Sequence, residues 1–163
     1  IAFVCLGSRL LGWIELRDYI RNTSSLAVKR AKQMDIEVIM LTGDNQNSAA
    51  SIAEKIGLET VIAEVKPNEK AEKVIALQAQ GNKVIMIGDG INDAAALTVA
   101  DVGIAMGAGS DIALDAADFV LVRNDLVDAV SSLHLSKATM RTVRTNLVWA
   151  FSYNLLGIPL AMG

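Results

Sequence analysis

Cysteine is nearly absent from this chain of 163 residues, and its scarcity limits what the protein can be. The single residue, Cys5, excludes an internal disulfide framework and any zinc or iron–sulfur site built only of cysteines, and it fits a reducing, cytosolic environment. Basic residues are also scarce over a long stretch: residues 84–128 hold eight Asp and one Arg. A nucleic-acid interface spread over a domain needs a basic face, so nucleic acid is not an expected partner.

A signal-peptide pattern is missing too, and the chain begins at Ile1 without an initiator Met. The length suits one domain of ordinary size, so a multidomain machine cannot be complete in this sequence. We therefore expect the chain to be a fragment of a longer protein.

Hydrophobic residues are abundant, at 52% of the chain, with a mean hydropathy of +0.39 and only 20% charged residues. The last 18 residues, 146–163, carry no charge and approach the roughly 20 apolar residues that span a bilayer. Trp149 is placed as an interfacial anchor. Three basic residues and no acid occur in 129–145: Lys137, Arg141 and Arg144. We expect a truncated transmembrane helix at 146–163, with the lipid bilayer as a partner and everything before Asn146 in the cytosol; a buried terminal helix is the alternative.

Short runs rich in Val and Ile alternate with helical patterns from Asp35 onward. The strand candidates are 38–41, 60–63, 83–87, 102–105 and 119–122. The helix candidates are 25–34, 47–56, 68–80, 91–100 and 110–116. Such alternation is typical of parallel strands joined by crossover helices, and it predicts an α/β fold with a doubly wound parallel sheet.

The pattern divides the chain into four segments. Residues 1–17 are expected to form a strand pair that belongs to a neighbouring unit, and 18–125 to form the α/β core. Asp125 is placed to cap a last helix, whose first part, 126–145, would be a stalk that leads into the uncharged segment. A helix from 126 to 158 would be about 50 Å long, which is too long for a small globular core.

The first of two polar clusters is Thr42-Gly43-Asp44-Asn45, directly after a predicted strand. Open parallel sheets bind ligands beyond the carboxyl ends of their strands. The Thr42 hydroxyl and the Gly43 amide can both donate to a phosphate oxygen, and a glycine lets the backbone come close. A strand-to-helix turn capped by Asp44 or Asn45 explains the same residues, and this cluster alone does not decide between the two.

The second cluster is Gly88-Asp89-Gly90-Ile91-Asn92-Asp93, which sets two carboxylates and an amide around one turn. Oxygen ligands at short spacing suit Mg²⁺, which takes one or two protein carboxylates and fills its other positions with water and phosphate. We predict Asp89 as the metal ligand and Asp93 as a second candidate, with Asn92 and Asp93 holding the phosphate or metal-bound waters. An Asp-Gly turn followed by a helix cap is the simpler alternative.

Lys70 is the third element, in Pro67-Asn68-Glu69-Lys70 at the opening of a predicted helix. The helix dipole there already favours anions, and an ammonium group could neutralise a phosphoryl group. A phosphate-binding Thr, a Lys and Mg²⁺-binding carboxylates together indicate phosphoryl transfer. No nucleophile or activated base is evident beside them.

Four segments of the sequence resemble one family. TGDN at 42–45, PNEK at 67–70, GDGINDAAAL at 88–97 and ADVGIAMGAGSD at 100–111 are similar to the second half of the phosphorylation domain of P-type cation-transporting ATPases. The resemblance implies a haloacid-dehalogenase fold, Mg²⁺ held by Asp89, and ATP bound mainly by a nucleotide-binding domain that this sequence lacks. Asp18 and Arg21 resemble the segment that leads into this domain.

The resemblance also implies a role for each candidate site residue. Thr42, Lys70 and Asn92 would hold the aspartyl phosphate as its binding residues. Asp44 and Asp93 would support the hinge and the metal–phosphate network. The implied catalytic set is Thr42, Gly43, Asp44, Lys70, Asn92 and Asp93.

NLVWAFSYNLLGIP at 146–159 resembles a membrane helix of heavy-metal pumps of the copper(I) type. This likeness implies Cu⁺ as the transported ion, Tyr153 and Asn154 near the ion path, and a copper chaperone as a further partner. Zinc and cadmium relatives tend to carry a lysine in that helix instead. A buried Asn in lipid is costly enough to suggest a function, although a packing hydrogen bond between helices is the alternative for Asn154.

One departure from the family pattern is decisive for the isolated chain. The phosphorylated Asp of the DKTGT motif is absent, so this polypeptide cannot form the phosphoenzyme alone and needs the remainder of the same protein as a partner.

Two alternatives to a copper(I) pump fragment remain open. One is a soluble phosphatase of haloacid-dehalogenase type, which would need an N-terminal DxD pair; the other is an inert fragment that binds Mg²⁺ and phosphate without turnover.

Overall fold

A computed structural model describes residues 2–14, 20–89, 92–107, 115–161 and 163. The strands in these ranges are β1 (Ala2–Leu6), β2 (Arg9–Ile14), β3 (Ile39–Leu41), β4 (Thr60–Ile62), β5 (Ile85–Gly88), β6 (Val102–Met106) and β7 (Phe119–Leu121). The helices are α1 (Asn22–Lys32), α2 (Gln46–Ile56), α3 (Pro67–Ala79), α4 (Ala94–Val99) and α5 (Leu126–Ala161). Most of the expected helix at 110–116 lies outside the described residues, as do Asp18, Gly90, Ile91 and Asp111.

The expected strand pair at the start of the chain is present as an antiparallel hairpin of β1 and β2. Its turn includes Gly7 with a φ of +61°, a left-handed conformation that glycine adopts without a steric penalty. Phe3 and Trp13 face each other across the pair, and both are largely exposed to solvent.

The α/β fold is confirmed, but the parallel strands form two sheets instead of one. β3 pairs with β4, and β5, β6 and β7 pair in that order, all in parallel. Within the described residues, β3 and β5 do not pair with each other, so each has one edge without a partner strand. The expected doubly wound α/β fold is therefore present, and in the described residues its parallel strands are hydrogen-bonded as two groups; hydrophobic periodicity does not determine which strands are neighbours.

The main core lies where α4 packs on the three-stranded sheet. Leu97 of α4 and Ile104 of β6 are the largest fully buried side chains. A Cβ atom on Gly103 would lie 2.6 Å from the carbonyl oxygen of Leu97, so glycine is required for this close helix–sheet contact. The packing positions the end of β5 and the start of α4, between which the second polar cluster lies in the sequence.

Asp101 connects the start of β6 to neighbouring elements. Its carboxylate accepts hydrogen bonds from Lys83 Nζ at 2.7 Å, from the Val84 amide at 3.0 Å and from Gln78 Nε2 at 3.0 Å. The Lys83 ammonium, the Val84 N–H and the Gln78 amide hold the pKa of Asp101 well below its usual range. Asp101 therefore links α3 to the amino ends of β5 and β6, whereas the candidate site lies at the carboxyl ends of the strands.

The last helix, α5, is 36 residues long, about 54 Å at 1.5 Å per residue. Asp125 caps it as predicted, because its Oδ1 accepts a hydrogen bond from the Val127 amide at 2.9 Å. Val130 packs in a small core with Ala27 and Ala31 of α1. Beyond this contact α5 is mostly exposed. No helix in the described ranges is both long enough and apolar enough to cross a bilayer, and a membrane start at 146 stays a prediction.

Candidate functional site

The Thr42–Asp44 loop follows β3 and is bonded to the chain that leads into α3. The Thr42 amide donates to the Ile62 carbonyl, and the Val65 amide donates to the Thr42 carbonyl, both at 3.0 Å. Thr42 Oγ1 donates to Asp44 Oδ2 at 3.0 Å and accepts from the Asp44 amide at 3.1 Å. The hydroxyl and the carboxylate are thereby fixed relative to each other at the carboxyl end of β3.

Asn45 performs the capping that the simpler interpretation of this cluster required. Its Oδ1 accepts a hydrogen bond from the Ser48 amide at 2.9 Å, at the first turn of α2. Capping therefore explains Asn45 but not Thr42 or Asp44. A Cβ at Gly43 would lie 3.4 Å from the Val65 carbonyl oxygen, an ordinary van der Waals contact, so the backbone path here does not by itself require glycine.

Lys70 lies in the first turn of α3 and points at the second cluster. Glu69 caps the start of the helix, because its Oε2 accepts a hydrogen bond from the Lys66 amide at 3.1 Å, and this holds the start of the helix in place. Lys70 Nζ donates to Asp93 Oδ1 at 2.6 Å. The two side chains are only 13% and 11% exposed, so this is a largely buried ion pair.

Gly88, the last residue of β5, makes room for Asp93. A Cβ atom on Gly88 would lie 2.7 Å from Asp93 Cβ and 2.8 Å from Asp93 Cγ, and closer still to Oδ2. Our sequence reasoning did not assign Gly88 any role. Its position before an acidic turn was the only available signal, because the contact depends on the path of the backbone.

Asp89 and Asn92 lie in the same turn, and both are exposed. The Asn92 amide donates to Asp89 Oδ1 at 3.4 Å. Because Mg²⁺ takes only one or two protein carboxylates, an exposed Asp89 fits the ion, and its remaining positions would go to water and phosphate. Asp93 is the weaker candidate ligand, since Oδ1 is engaged by Lys70 and Oδ2 lies against Gly88.

The structure therefore brings some candidate residues into direct contact and joins the others through α3. Lys70 touches Asp93, and Asp89 shares a turn with Asn92. The Thr42 loop is bonded to the segment just before α3. No group of three or more Asp, Glu, His or Cys side chains is assembled for a metal among the described residues.

Tyr153 and Asn154 belong to a different part of the molecule. Both lie near the end of α5 and are exposed, Tyr153 to 79%. Their expected place beside an ion path is therefore neither supported nor opposed by a contact within this chain.

Comparisons with known proteins agree with the fold and with the family that the sequence resembles. Residues 2–101 match the haloacid dehalogenase-like hydrolase family. The chain is 49% identical over 160 residues to the human protein named copper-transporting ATPase 2. The aligned part is 98% of this chain and 11% of that protein. The chain is 47% identical over 158 residues to the copper-exporting P-type ATPase of Staphylococcus aureus (strain Newman), covering 97% of the chain and 20% of the relative.

A solved structure titled as a zinc-transporting PIB-type ATPase in the E2.Pi state is also similar. The TM-score is 0.82 at 35% identity, over 90% of this chain and 24% of that one. A CPx-ATPase catalytic domain gives a TM-score of 0.61 at 36% identity, over 69% of this chain and 44% of that one. The chain spans between about a tenth and a fifth of the curated relatives it matches. It belongs to the haloacid dehalogenase-like hydrolases and is homologous, over nearly its whole length, to part of the copper-transporting P-type ATPases.

Proposed function

We propose that the chain forms the phosphate-binding and Mg²⁺-binding half of the phosphorylation site of an ATP-driven copper(I) pump. The observation that supports this most directly is the buried ion pair between Lys70 and Asp93, at the turn that also presents Asp89. The lysine comes from another helix, and its Nζ is held 2.6 Å from the carboxylate of Asp93. The pairing keeps a positive charge at the carboxyl end of β5, where a phosphoryl group would bind.

The chain's own residues would act by positioning and by charge. The Thr42 hydroxyl and the Gly43 amide can donate to phosphoryl oxygens, and Asp44 orients that hydroxyl. Lys70 can turn from Asp93 toward an incoming phosphoryl group and offset its charge, while the Asn92 side-chain amide donates at the other side. Mg²⁺, when bound through Asp89, supplies further charge neutralisation.

Within the part of the chain that the structure describes, β3 and β5 each have one edge without a partner strand, where a further strand could pair. We propose that a strand from the remainder of the polypeptide, bearing the phosphorylated Asp of DKTGT, pairs between them. That strand would bring its carboxylate to the same end of the sheet as Thr42 and Asp89. It would also join the two parallel sheets of this chain into the single sheet that was predicted.

Copper(I) is the proposed cargo because the curated relatives at 47–50% identity are named for copper transport. The similar structure named for zinc transport is less identical, at 35%. Tyr153 and Asn154 would line the ion path, 146–163 would enter the membrane, and the residues before Asn146 would be cytosolic. A copper chaperone would deliver the ion. Stimulation of ATP hydrolysis by Cu⁺ but not Zn²⁺ in the pump that contains this chain would support this assignment, and the reverse preference would contradict it.

The catalytic roles are tested by phosphoenzyme formation from labelled ATP in that pump. Lys70→Met should abolish the acid-stable phosphoenzyme, and Asp89→Asn should prevent turnover while leaving copper binding measurable. Lys73→Met is the matched control, because Lys73 is exposed on the same helix and has no ion-pair partner among the described residues. Normal phosphorylation in Lys70→Met would remove Lys70 from the mechanism.

A further inference from the structure

A cavity of about 440 Å³ lies between α1 and α5, away from the candidate phosphorylation site. Its lining comes from the end of α1 and the first turns of α5: Arg30, Gln33, Met34, Val130, Ser131 and His134. None of these residues belongs to the set assigned to phosphoryl transfer. Val130 and Met34 form its apolar floor, which joins the small core between the two helices.

Hydrogen-bond donors converge on this cavity from both helices. Arg30 and Gln33 lie at the end of α1, and His134 lies on α5. The Ser131 hydroxyl already donates to the Val127 carbonyl at 2.7 Å, so it does not add a donor. The guanidinium of Arg30, the amide of Gln33 and an imidazole N–H suit an oxyanion, and a guanidinium binds phosphate with two parallel hydrogen bonds.

The charged side chain that lines the cavity is the basic Arg30, and Asp35 directly follows Met34 in the chain without lining the cavity. No lining residue is acidic, and Arg30 has no ion-pair partner among the described residues. Lys137 Nζ donates to the Met34 carbonyl at 3.3 Å, which fixes an ammonium group beside the cavity. The acid nearest on α5, Asp128, is occupied by two hydrogen bonds from Arg123 at 2.8 Å.

The same face of α5 continues as a basic stripe. His134, Lys137, Arg141 and Arg144 are spaced by three, four and three residues, so they lie along one side of the helix. No acidic residue follows Asp128 in the chain, and neither Arg141 nor Arg144 has an ion-pair partner in the described parts. The stripe leads from the cavity to the uncharged segment that begins at Asn146.

We propose that the cavity between α1 and α5 binds the phosphate group of a small phosphate ester or of inorganic phosphate, held by Arg30, Gln33 and His134. The two sources of such a group are a phospholipid headgroup, reached along the basic stripe, and a soluble phosphate. The site is separate from Thr42, Lys70 and Asp89 and does not depend on their proposed role.

His134 makes a direct test possible, because it is the only histidine in the sequence. Its ring signal would be followed by NMR at constant pH, without Mg²⁺, while the whole chain is titrated with inorganic phosphate or with soluble short-chain phosphatidic acid. We expect a saturable shift with at least one probe. Arg30→Gln should weaken binding by about tenfold or more, since it removes a bidentate charged contact. The affinity of Arg30→Lys should lie between the affinity of Arg30→Gln and that of the original chain.

Two controls separate this site from the rest of the molecule. Lys55→Gln removes an exposed lysine of α2 and should leave the affinity unchanged. Lys73→Met, which removes an exposed lysine of α3, should also leave it unchanged, and because the signal is read at His134, failure of the phosphorylation proposal would not affect this result. A shift with inorganic phosphate identifies a soluble ligand; a shift only with phosphatidic acid, together with binding to phosphatidylcholine vesicles that contain this lipid, identifies a headgroup. No saturable shift with either probe, or equal affinity in Arg30→Gln, would overturn the proposal.

Discussion

Replacing Gly88 by alanine tests how the end of β5 positions the ion pair at the candidate site. The added Cβ would lie 2.7–2.8 Å from carbon atoms of Asp93. Favourable carbon–carbon contacts lie at about 3.5–4.0 Å, so Asp93 would have to move by roughly 1 Å. Asp93 is 8% exposed and has little room for this movement. Its carboxylate would therefore leave the 2.6 Å contact with Lys70.

The cost has two parts. Overpacking of a buried position destabilises a protein by about 1–3 kcal/mol. Separation of the Lys70–Asp93 pair adds to this, because it leaves two largely buried charges without partners. We expect the free energy of unfolding of Gly88→Ala to fall by about 2–4 kcal/mol in denaturant titrations, and phosphoenzyme formation in the complete pump to fall strongly.

Gly12→Ala is the matched control for this experiment. A Cβ on Gly12 meets nothing within 4 Å, and the residue does not have a positive φ. The free energy of unfolding and the phosphoenzyme formation of Gly12→Ala should stay close to those of the original protein. Equal stability and phosphorylation in Gly88→Ala would refute the steric argument.

Three further substitutions test local features of the fold. Asn45→Ala removes the side-chain cap on the Ser48 amide and should lower the free energy of unfolding by about 1 kcal/mol in denaturant; no change would show that the cap is dispensable. Asp101→Asn should reduce the loss of stability in acid, because Lys83 and the other donors lower the pKa of Asp101 in the folded state. Its contribution is complete above the pKa of an unfolded aspartate and is lost as pH falls toward the folded pKa, so an unchanged pH profile would contradict this assignment. Gly57→Ala places alanine at a φ of +77° and should lower the melting temperature, although a Cβ there meets no other atom; an unchanged melting temperature would argue against conformational strain.

The elements of the α/β region could be predicted because each is short and is bounded by residues that typically form turns or helix caps. The strand expected at 102–105 is found as Val102–Met106, and the helix expected at 47–56 as Gln46–Ile56. Gly57 ends that helix in a left-handed conformation, as its position indicated. Boundaries shifted most for the helix expected at 25–34, which is found at Asn22–Lys32.

The division into two sheets could not be predicted from the same signals. Alternation of strands and helices indicates parallel crossovers, but it does not show whether β3 and β5 are neighbours. Whether β3 and β5 belong to one sheet depends on whether another strand lies between them. If the proposed strand lies between them, the information needed to predict one continuous sheet is outside this sequence.

The residues of the candidate site could be singled out from the sequence, but the contacts between them could not. The residue types at Thr42, Lys70 and Asp89 indicated phosphate and Mg²⁺ binding from sequence alone. The pairing of Lys70 with Asp93 spans 23 positions and depends on how α3 packs against α4, which no local pattern encodes. The requirement for Gly88 follows from that pairing, so it became visible only in three dimensions.

Oxidative cleavage by Fe²⁺ in place of Mg²⁺ would test the central claim most directly. With beryllium fluoride, ascorbate and peroxide, an iron ion at the proposed site of the complete pump should cut the backbone near any segment that lies beside it. The account predicts cuts near both 42–45 and 88–93, suppressed by excess Mg²⁺ and absent in Asp89→Asn. Cuts at only one of these segments, or at neither, would contradict a shared site for the metal and the phosphoryl group.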